Sequence, residues 1–365
     1  MNSLDLEDII YNDFFKEYDK TEIYKIIEQL NTYVYRNEGD FNKTLRKIIK
    51  GQKKTPGKSI LSTCYQEMKK RGKILQNLNL EKYLIHKKKR SQSGVLIITI
   101  VMRPDKFSCP FNCHMCPDER IANGATVDMP RSYLSTEPAE MRAMGVQFDT
   151  VLQFRSRMVT LEKNGHKPDK AEIIVLGGTF STYPRSYQEE FIRDIYYAAN
   201  TYFNCTEDNI RNPLSIQKEQ EINESAQCHI VGITLETRPD QINKDEINRF
   251  RCYGCTRVQL GIQHTDNTIL DKINRRHHVE HSIKAIQMLK EHGFKVDIHI
   301  MPDLPGSSPE LDKTMMLDIF TTPYFQPDYL KIYPCLDVQY TEIRKWKEDG
   351  RWKPYAEQNN GRDLI

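Results

Sequence analysis

The chain has 365 residues, of which 38% are hydrophobic and 28% charged, and a formal net charge of +3. This is the composition of a soluble globular protein with at most two or three domains. No run of about 18 apolar residues is present to span a membrane. The acidic start, MNSLDLEDII, lacks the apolar core of a signal peptide. Nine cysteines in a chain without an export signal argue against a disulfide scaffold. They point to reduced thiols or metal ligands in a cytoplasmic protein.

Residues 1–40 read as helical, with Ile9, Ile10, Phe14, Ile26, Ile27, Leu30 and Val34 near helical spacing. They carry ten acidic and four basic side chains, a balance of −6. Residues 41–90 read as helices broken near Thr55-Pro56-Gly57, and they hold sixteen Lys and Arg against Glu67 and Glu81, a balance of +14. The small overall charge therefore hides one strongly basic block. Such a block is either a solvated arm or a surface that attracts polyanions without sequence preference. Lys87-Lys88-Lys89-Arg90, followed by Ser91–Gly94, reads as a linker that closes a helical region, residues 1–90.

Beyond Gly94 the pattern changes to strands. Val95–Val101 is a β-branched run of the kind expected for a strand buried on both faces. Similar runs follow at Glu172–Leu176, His229–Leu235, Thr256–Ile262, Lys295–Ile300 and Tyr329–Tyr333. Helical stretches at Glu137–Gly165, Tyr187–Phe203, Lys244–Tyr253, Glu280–Gly293 and Glu310–Phe320 separate them. Alternation of this kind gives βαβ units and a parallel sheet. Six units with right-handed crossovers curl into a partial (βα)6 TIM-like barrel over residues 91–335, with its chemistry at the C-terminal strand ends. Residues 336–365 read as a tail or linker.

Directly after the first strand stand Cys109, Cys113 and Cys116 in a CxxxCxxC arrangement. Three thiolates at this spacing suit three irons of a [4Fe-4S] cluster, leaving the fourth iron open to chelate S-adenosylmethionine. The alternative is a structural zinc site with His114 or a distant cysteine as fourth ligand. Position at the mouth of the barrel favours the cluster. Cys252 and Cys255 form a CxxC without a second pair and read as packing thiols.

Gly177-Gly178-Thr179 follows the second strand, where two glycines let the backbone approach a ligand. This loop is a candidate for the amino group of S-adenosylmethionine. Glu236, Thr237, Arg238, Gln259, Gln263, His264, His299, Asp303 and Lys331 lie on or just past later strands. Each alone is as readily a satisfied core polar group. Together they line the rim, with Glu236 and Gln259 as further candidates for S-adenosylmethionine. Lys170, just before the second strand, suits an anionic cofactor or is a solvated lysine.

From the basic segment onward the chain resembles the family of the Elongator catalytic subunit, radical S-adenosylmethionine enzymes that modify the tRNA wobble uridine. The likeness rests on Ser91–Val95, the cysteine triplet with Pro117, Glu137–Arg142, Gly165–Lys170, Val175–Phe180 and Glu189–Arg193. It continues through Leu235–Asp240, Tyr253–Gln263, Met301–Gly306 and Lys331–Pro334, and does not cover residues 1–40. The resemblance implies a radical SAM barrel with a helical, basic, tRNA-binding N-terminal extension. It also implies use of acetyl-CoA to build a carboxymethyl group on C5 of the uridine. It assigns Cys109, Cys113 and Cys116 to the cluster and Lys170 to acetyl-CoA. It makes Lys53, Lys54, Lys58, Lys69, Lys70, Arg71, Lys87, Lys88, Lys89 and Arg90 candidate contacts to the anticodon region of tRNA.

Three departures stand out. Met115 occupies the position of an aromatic residue, and Arg276 that of a frequent glycine. Only about thirty residues follow the last strand, too few for the family's acetyltransferase domain. That domain is expected to be absent: the chain is then a truncated version, or a separate acetyltransferase or Elongator-like subunits supply the step, or the activity is altered or lost. The rival expectations are a non-catalytic tRNA-binding scaffold, a radical SAM enzyme with another substrate, and a zinc-stabilised binding module.

Overall fold

The computed structural model describes residues 18–50, 55–104, 109–203 and 211–357. Ile9, Ile10, Phe14, Lys53, Lys54 and the side chain of Arg90 lie outside the described residues. The N-terminal region is built from α1 (Lys20–Asn31), α2 (Glu38–Ile48), α3 (Lys58–Lys70) and α4 (Leu78–Leu84). Asp19, Asn37 and Asn77 cap α1, α2 and α4 by accepting from backbone N–H groups of the first turn. These helices bury Ile23, Ile27, Leu30, Phe41, Leu61 and Leu80 in a core of their own. Val34, expected on the apolar face, falls beyond the end of α1 and is exposed.

The remainder runs β1 (Leu96–Val101), α5 (Pro138–Gly145), α6 (Thr150–Lys163), β2 (Lys170–Leu176), α7 (Arg185–Asn200), α8 (Ile216–Asn223), β3 (His229–Thr237), α9 (Lys244–Cys252), β4 (Cys255–Gln263), α10 (Asn267–Lys272), α11 (Val279–Glu291), β5 (Lys295–Ile300), α12 (Pro309–Thr321), β6 (Tyr329–Ile332) and α13 (Glu342–Glu348). The six strands form one sheet in sequence order, each parallel to the next. The sheet is an open, curled half-barrel, as the strand–helix alternation requires. The single helix expected over Glu137–Gly165 is two helices. Gln147 and Phe148 both take positive φ, 54° and 57°, and turn the chain between α5 and α6.

The main core lies on the outer face of the sheet. Ala171, Ile173 and Val175 of β2 point outward to meet Phe154, Phe191 and Ile195 from the flanking helices. The inner face differs from the expectation of strands buried on both sides. Ile97 of β1 is 51% exposed, and β2 alternates buried with half-buried residues. The inner face is polar. Arg257 pairs with Glu172 at 3.3 Å, Asp297 accepts from Gln259 at 3.1 Å, and Lys331 donates to the Gln259 carbonyl at 3.0 Å. A closed TIM barrel fills this space with apolar layers; here it stays open to ligand.

Residues 336–357 are not a loose tail. Glu342 and Ile343 N–H groups donate to the His114 carbonyl. Ile343 and Trp352 join Cys113, Met115, Ile273 and Leu304 in a small core behind the cysteine loop. Asp303 accepts from the N–H groups of Tyr355 and Ala356, at 2.9 and 3.1 Å. Asp303 is thus an anchor for this segment and not a rim residue. His264 is likewise structural, bonded to buried Asp312 at 3.0 Å.

Candidate active site

The cysteine loop leaves β1 and crosses the C-terminal mouth of the sheet. Cys109 Sγ lies 3.5 Å from Thr179 Oγ1, so the glycine loop after β2 reaches the first cysteine. Cys113 is 2% exposed and receives two guanidinium N–H groups, from Arg238 Nη1 and Arg275 Nη1, each at 3.4 Å. Cys116 accepts from Ser132 Oγ at 3.2 Å. The hydrogen bond from the Cys116 thiol, with the charges of Arg275 and Arg238, holds Cys113 well below the usual thiol range. Cys116 moves the opposite way, because it shares its proton with Cys113 and is buried.

Arg238 is itself fixed, by Asp240 at 2.9 Å, by the Arg275 carbonyl at 2.6 Å and by the Phe111 ring 3.6 Å beneath its guanidinium. Arg275 also donates to the Gly261 carbonyl and, through Nε, to His277 at 3.1 Å. Two cations buried against one sulfur are costly unless that sulfur is anionic. The donor set therefore fits a thiolate-held metal centre. Among the described residues, no three His, Cys, Asp or Glu side chains converge on one ion-sized point. His114, the alternative zinc ligand, bonds the Lys272 carbonyl at 3.2 Å and stacks edge-on with Trp346 at 4.9 Å.

Residues 107–317 match the Radical SAM superfamily. The chain belongs to the radical SAM superfamily. It is 43% identical over 270 residues to the tRNA uridine(34) acetyltransferase of Methanocaldococcus infernus, covering 74% of this chain and 48% of that protein. It is 34% identical over 278 residues to Elongator complex protein 3 of Homo sapiens, covering 73% of this chain and 48% of that one. The solved structure of the archaeal Methanocaldococcus infernus Elp3 with an N-terminal deletion superposes with a TM-score of 0.57 at 37% identity, over 72% of this chain and 50% of that one. The chain thus resembles the Elp3 branch of the radical SAM enzymes, and spans about half the length of the curated relatives it matches.

Beside Cys116 the radical SAM half-barrel holds a cavity of about 530 Å3, lined by Ser132, Tyr133, Glu236, His299, Lys331 and Tyr333 among others. Glu236 accepts from Tyr133 Oη at 2.6 Å, and burial raises its carboxyl above the usual range. His299 is pushed down to about 3 by burial and by the charges of Lys331 and Arg275, so it is neutral.

Other expected residues fall elsewhere. Gln259 is 2% exposed and does not line the cavity; its side-chain N–H donates to Asp297 and its side-chain carbonyl accepts from Lys331. Lys170 is exposed at the start of β2, about 20 Å from the mouth by strand rise. It cannot touch the cysteine loop. Cys252 is exposed and Cys255 buried, its thiol bonded to the Arg257 carbonyl. Arg275, Ser132 and Tyr133 were not legible as site residues. All three sit in irregular loops, and nothing in their local sequence marks them.

No helix among the described residues is long and apolar enough to cross a membrane.

Proposed function

We propose that this chain is a radical S-adenosylmethionine enzyme that modifies the wobble uridine of tRNA. The observation that carries this reading is the Cys113 sulfur held between two buried guanidinium groups at the mouth of the half-barrel. The names of its relatives supply the substrate class.

Cys109, Cys113 and Cys116 would hold a [4Fe-4S] cluster, whose chemistry is one-electron reduction of the sulfonium of S-adenosylmethionine. Arg238 and Arg275 balance the negative charge of the thiolates. Gly177, Gly178 and Thr179 offer a close-approaching backbone and a hydroxyl beside Cys109 for the polar end of S-adenosylmethionine. Glu236 and Tyr133 present a paired carboxylate and hydroxyl to the cavity. The basic helical region would hold the anticodon arm, chiefly through phosphates. In the finer form of the proposal, the added group is carboxymethyl drawn from acetyl-CoA, and Elongator-like subunits or a separate acetyltransferase complete the reaction. Lys170 then meets only a part of acetyl-CoA remote from the reacting atoms.

The test is anaerobic reconstitution followed by reduction with S-adenosylmethionine present. Iron bound per chain and formation of 5′-deoxyadenosine are the readouts. Both should be lost in Cys113→Ala. Cleavage that survives this substitution defeats the reading.

A further inference from the structure

The cavity beside Cys116 is lined by a ring that carries an unpaired nitrogen. His299 is 7% exposed, and its Nε2 has no hydrogen-bond partner, although the ring lines the cavity. Buried polar atoms are almost always satisfied, and an orphan on a ring that lines a cavity points to a missing ligand. Its tautomer follows from its neighbours. Nδ1 faces Glu236 Oε1 at 3.8 Å, beyond hydrogen-bond distance, and of the two neutral tautomers the one with its proton on Nδ1 points that proton toward the carboxyl and leaves the lone pair on Nε2.

The next residue across the sheet is complementary. His299 pairs in register with Lys331 on β6, so both side chains rise from the same layer into the same cavity. The Lys331 ammonium has three donors, and one is placed on the Gln259 carbonyl at 3.0 Å. An acceptor and a strong donor thus stand side by side in a part-desolvated pocket. Uracil offers the reverse along its pairing edge, an N3–H donor flanked by carbonyl acceptors. Cytosine shares the O2 carbonyl but offers an N3 acceptor and a C4 amino donor, so it opposes His299 in either orientation and opposes both groups where Lys331 meets the C4 substituent.

We propose that His299 and Lys331 are the residues that recognise uracil in this site. His299 Nε2 accepts the N3–H, and Lys331 Nζ donates to the adjoining carbonyl oxygen. The inference rests on the reading that the substrate is a tRNA uridine, and adds the pair that selects its base. The uridine would leave the anticodon loop to enter, as unstacked loop bases do when read on their Watson–Crick edges.

The test measures affinity of the full, anaerobically reconstituted chain for an anticodon stem-loop RNA. Three versions carry uridine, cytidine or 3-methyluridine at the wobble position. The native chain should favour uridine about tenfold or more over both others, within the range of one well-placed pair of base-edge hydrogen bonds. His299→Phe keeps the ring volume and should cut the preference to within about twofold, by weakening the uridine RNA and by no longer opposing cytosine N3. His299→Asn restores an acceptor and should recover part of it. Lys331→Met is the independent second variant, and should also cut the preference. A native preference that survives in both His299→Phe and Lys331→Met overturns the pair while leaving the tRNA reading intact. Equal affinity of the native chain for all three RNAs does the same. Failure to bind any of them overturns both.

Discussion

Arg275 Nη1 stands 3.4 Å from Cys113 Sγ, and the two residues are 5% and 2% exposed. A charge so deeply buried is stabilising only while its partner is anionic. Arg275→Met removes this donor and those to the Gly261 carbonyl and His277. Breaking a buried pair in this way costs roughly 3–5 kcal/mol. The cluster-free variant should unfold at markedly lower urea, and reconstituted protein should hold well under half the native iron. Arg275→Lys retains the charge without the fork and should fall between. Unchanged urea midpoints in both variants would contradict the ion-pair argument.

The fold was legible where one physical signal dominates. β-branched runs located all six strands to within one or two residues, and Lys295–Ile300 has the bounds read from sequence. The inner face of the half-barrel was not legible, because Val95–Val101 reads the same whether its second face meets protein or an open cavity. The break between α5 and α6 was missed for a different reason: Gln147 and Phe148 carry no Gly or Pro signal. The cysteine triplet announced itself by spacing. Arg275 and Tyr133 reach the site only through folding, across 162 residues to Cys113 and 103 to Glu236 respectively.

The glycine loop after β2 admits a sharp comparison. Gly178 has φ of 79°, and a Cβ there would lie 2.8 Å from the Arg131 carbonyl oxygen. Gly124 has a similar φ of 84° with nothing within 4 Å. Gly124→Ala should cost only the left-handed strain, about 1–2 kcal/mol. Gly178→Ala adds a backbone clash and should cost about 1–2 kcal/mol more, as urea melts of both would measure. The displaced Arg131 peptide adjoins Ser132, the donor to Cys116, so Gly178→Ala should also lower iron loading while Gly124→Ala does not.

Glu140 on α5 is 1% exposed, and its Oε1 has no partner. Burial raises its carboxyl to about 7, against only a backbone hydrogen bond and Arg142 in opposition. A raised carboxyl favours the folded state fully below its unfolded value, and that advantage disappears as pH rises through the folded value. Wild-type stability should therefore fall between about pH 4.5 and 7 by roughly 1–3 kcal/mol from this group. Glu140→Gln cannot ionise, so it should match the wild type near pH 4 and exceed it at pH 8. Parallel urea titrations at the two pH values decide this. An equal stability difference at both would assign the effect to packing alone.

The basic N-terminal region separates into paired and unpaired cations. Lys58 bonds Glu38 at 2.6 Å, Lys69 bonds Glu81 at 2.9 Å and Arg71 bonds Glu67 at 2.6 Å. Among the described residues, Lys70 and the exposed run Lys87, Lys88 and Lys89 form no ion pair within 4 Å, although Lys88 is near enough to Glu38 to help lower its carboxyl. Only cations free to meet phosphate release counterions when RNA binds. Each phosphate contact contributes about 0.7–0.9 to the slope of log affinity against log salt. Replacing Lys87, Lys88 and Lys89 together by Ala should flatten that slope by about 2 for tRNA, with affinity lost at low salt and little changed at high salt. Lys58→Ala and Lys69→Ala should move the slope little and instead lower the melting temperature of the helical region slightly, since exposed pairs contribute about 0–1 kcal/mol. A triple variant with the native slope would remove this lysine run from the RNA-binding surface and shift the search to Lys70 and its neighbours on α3.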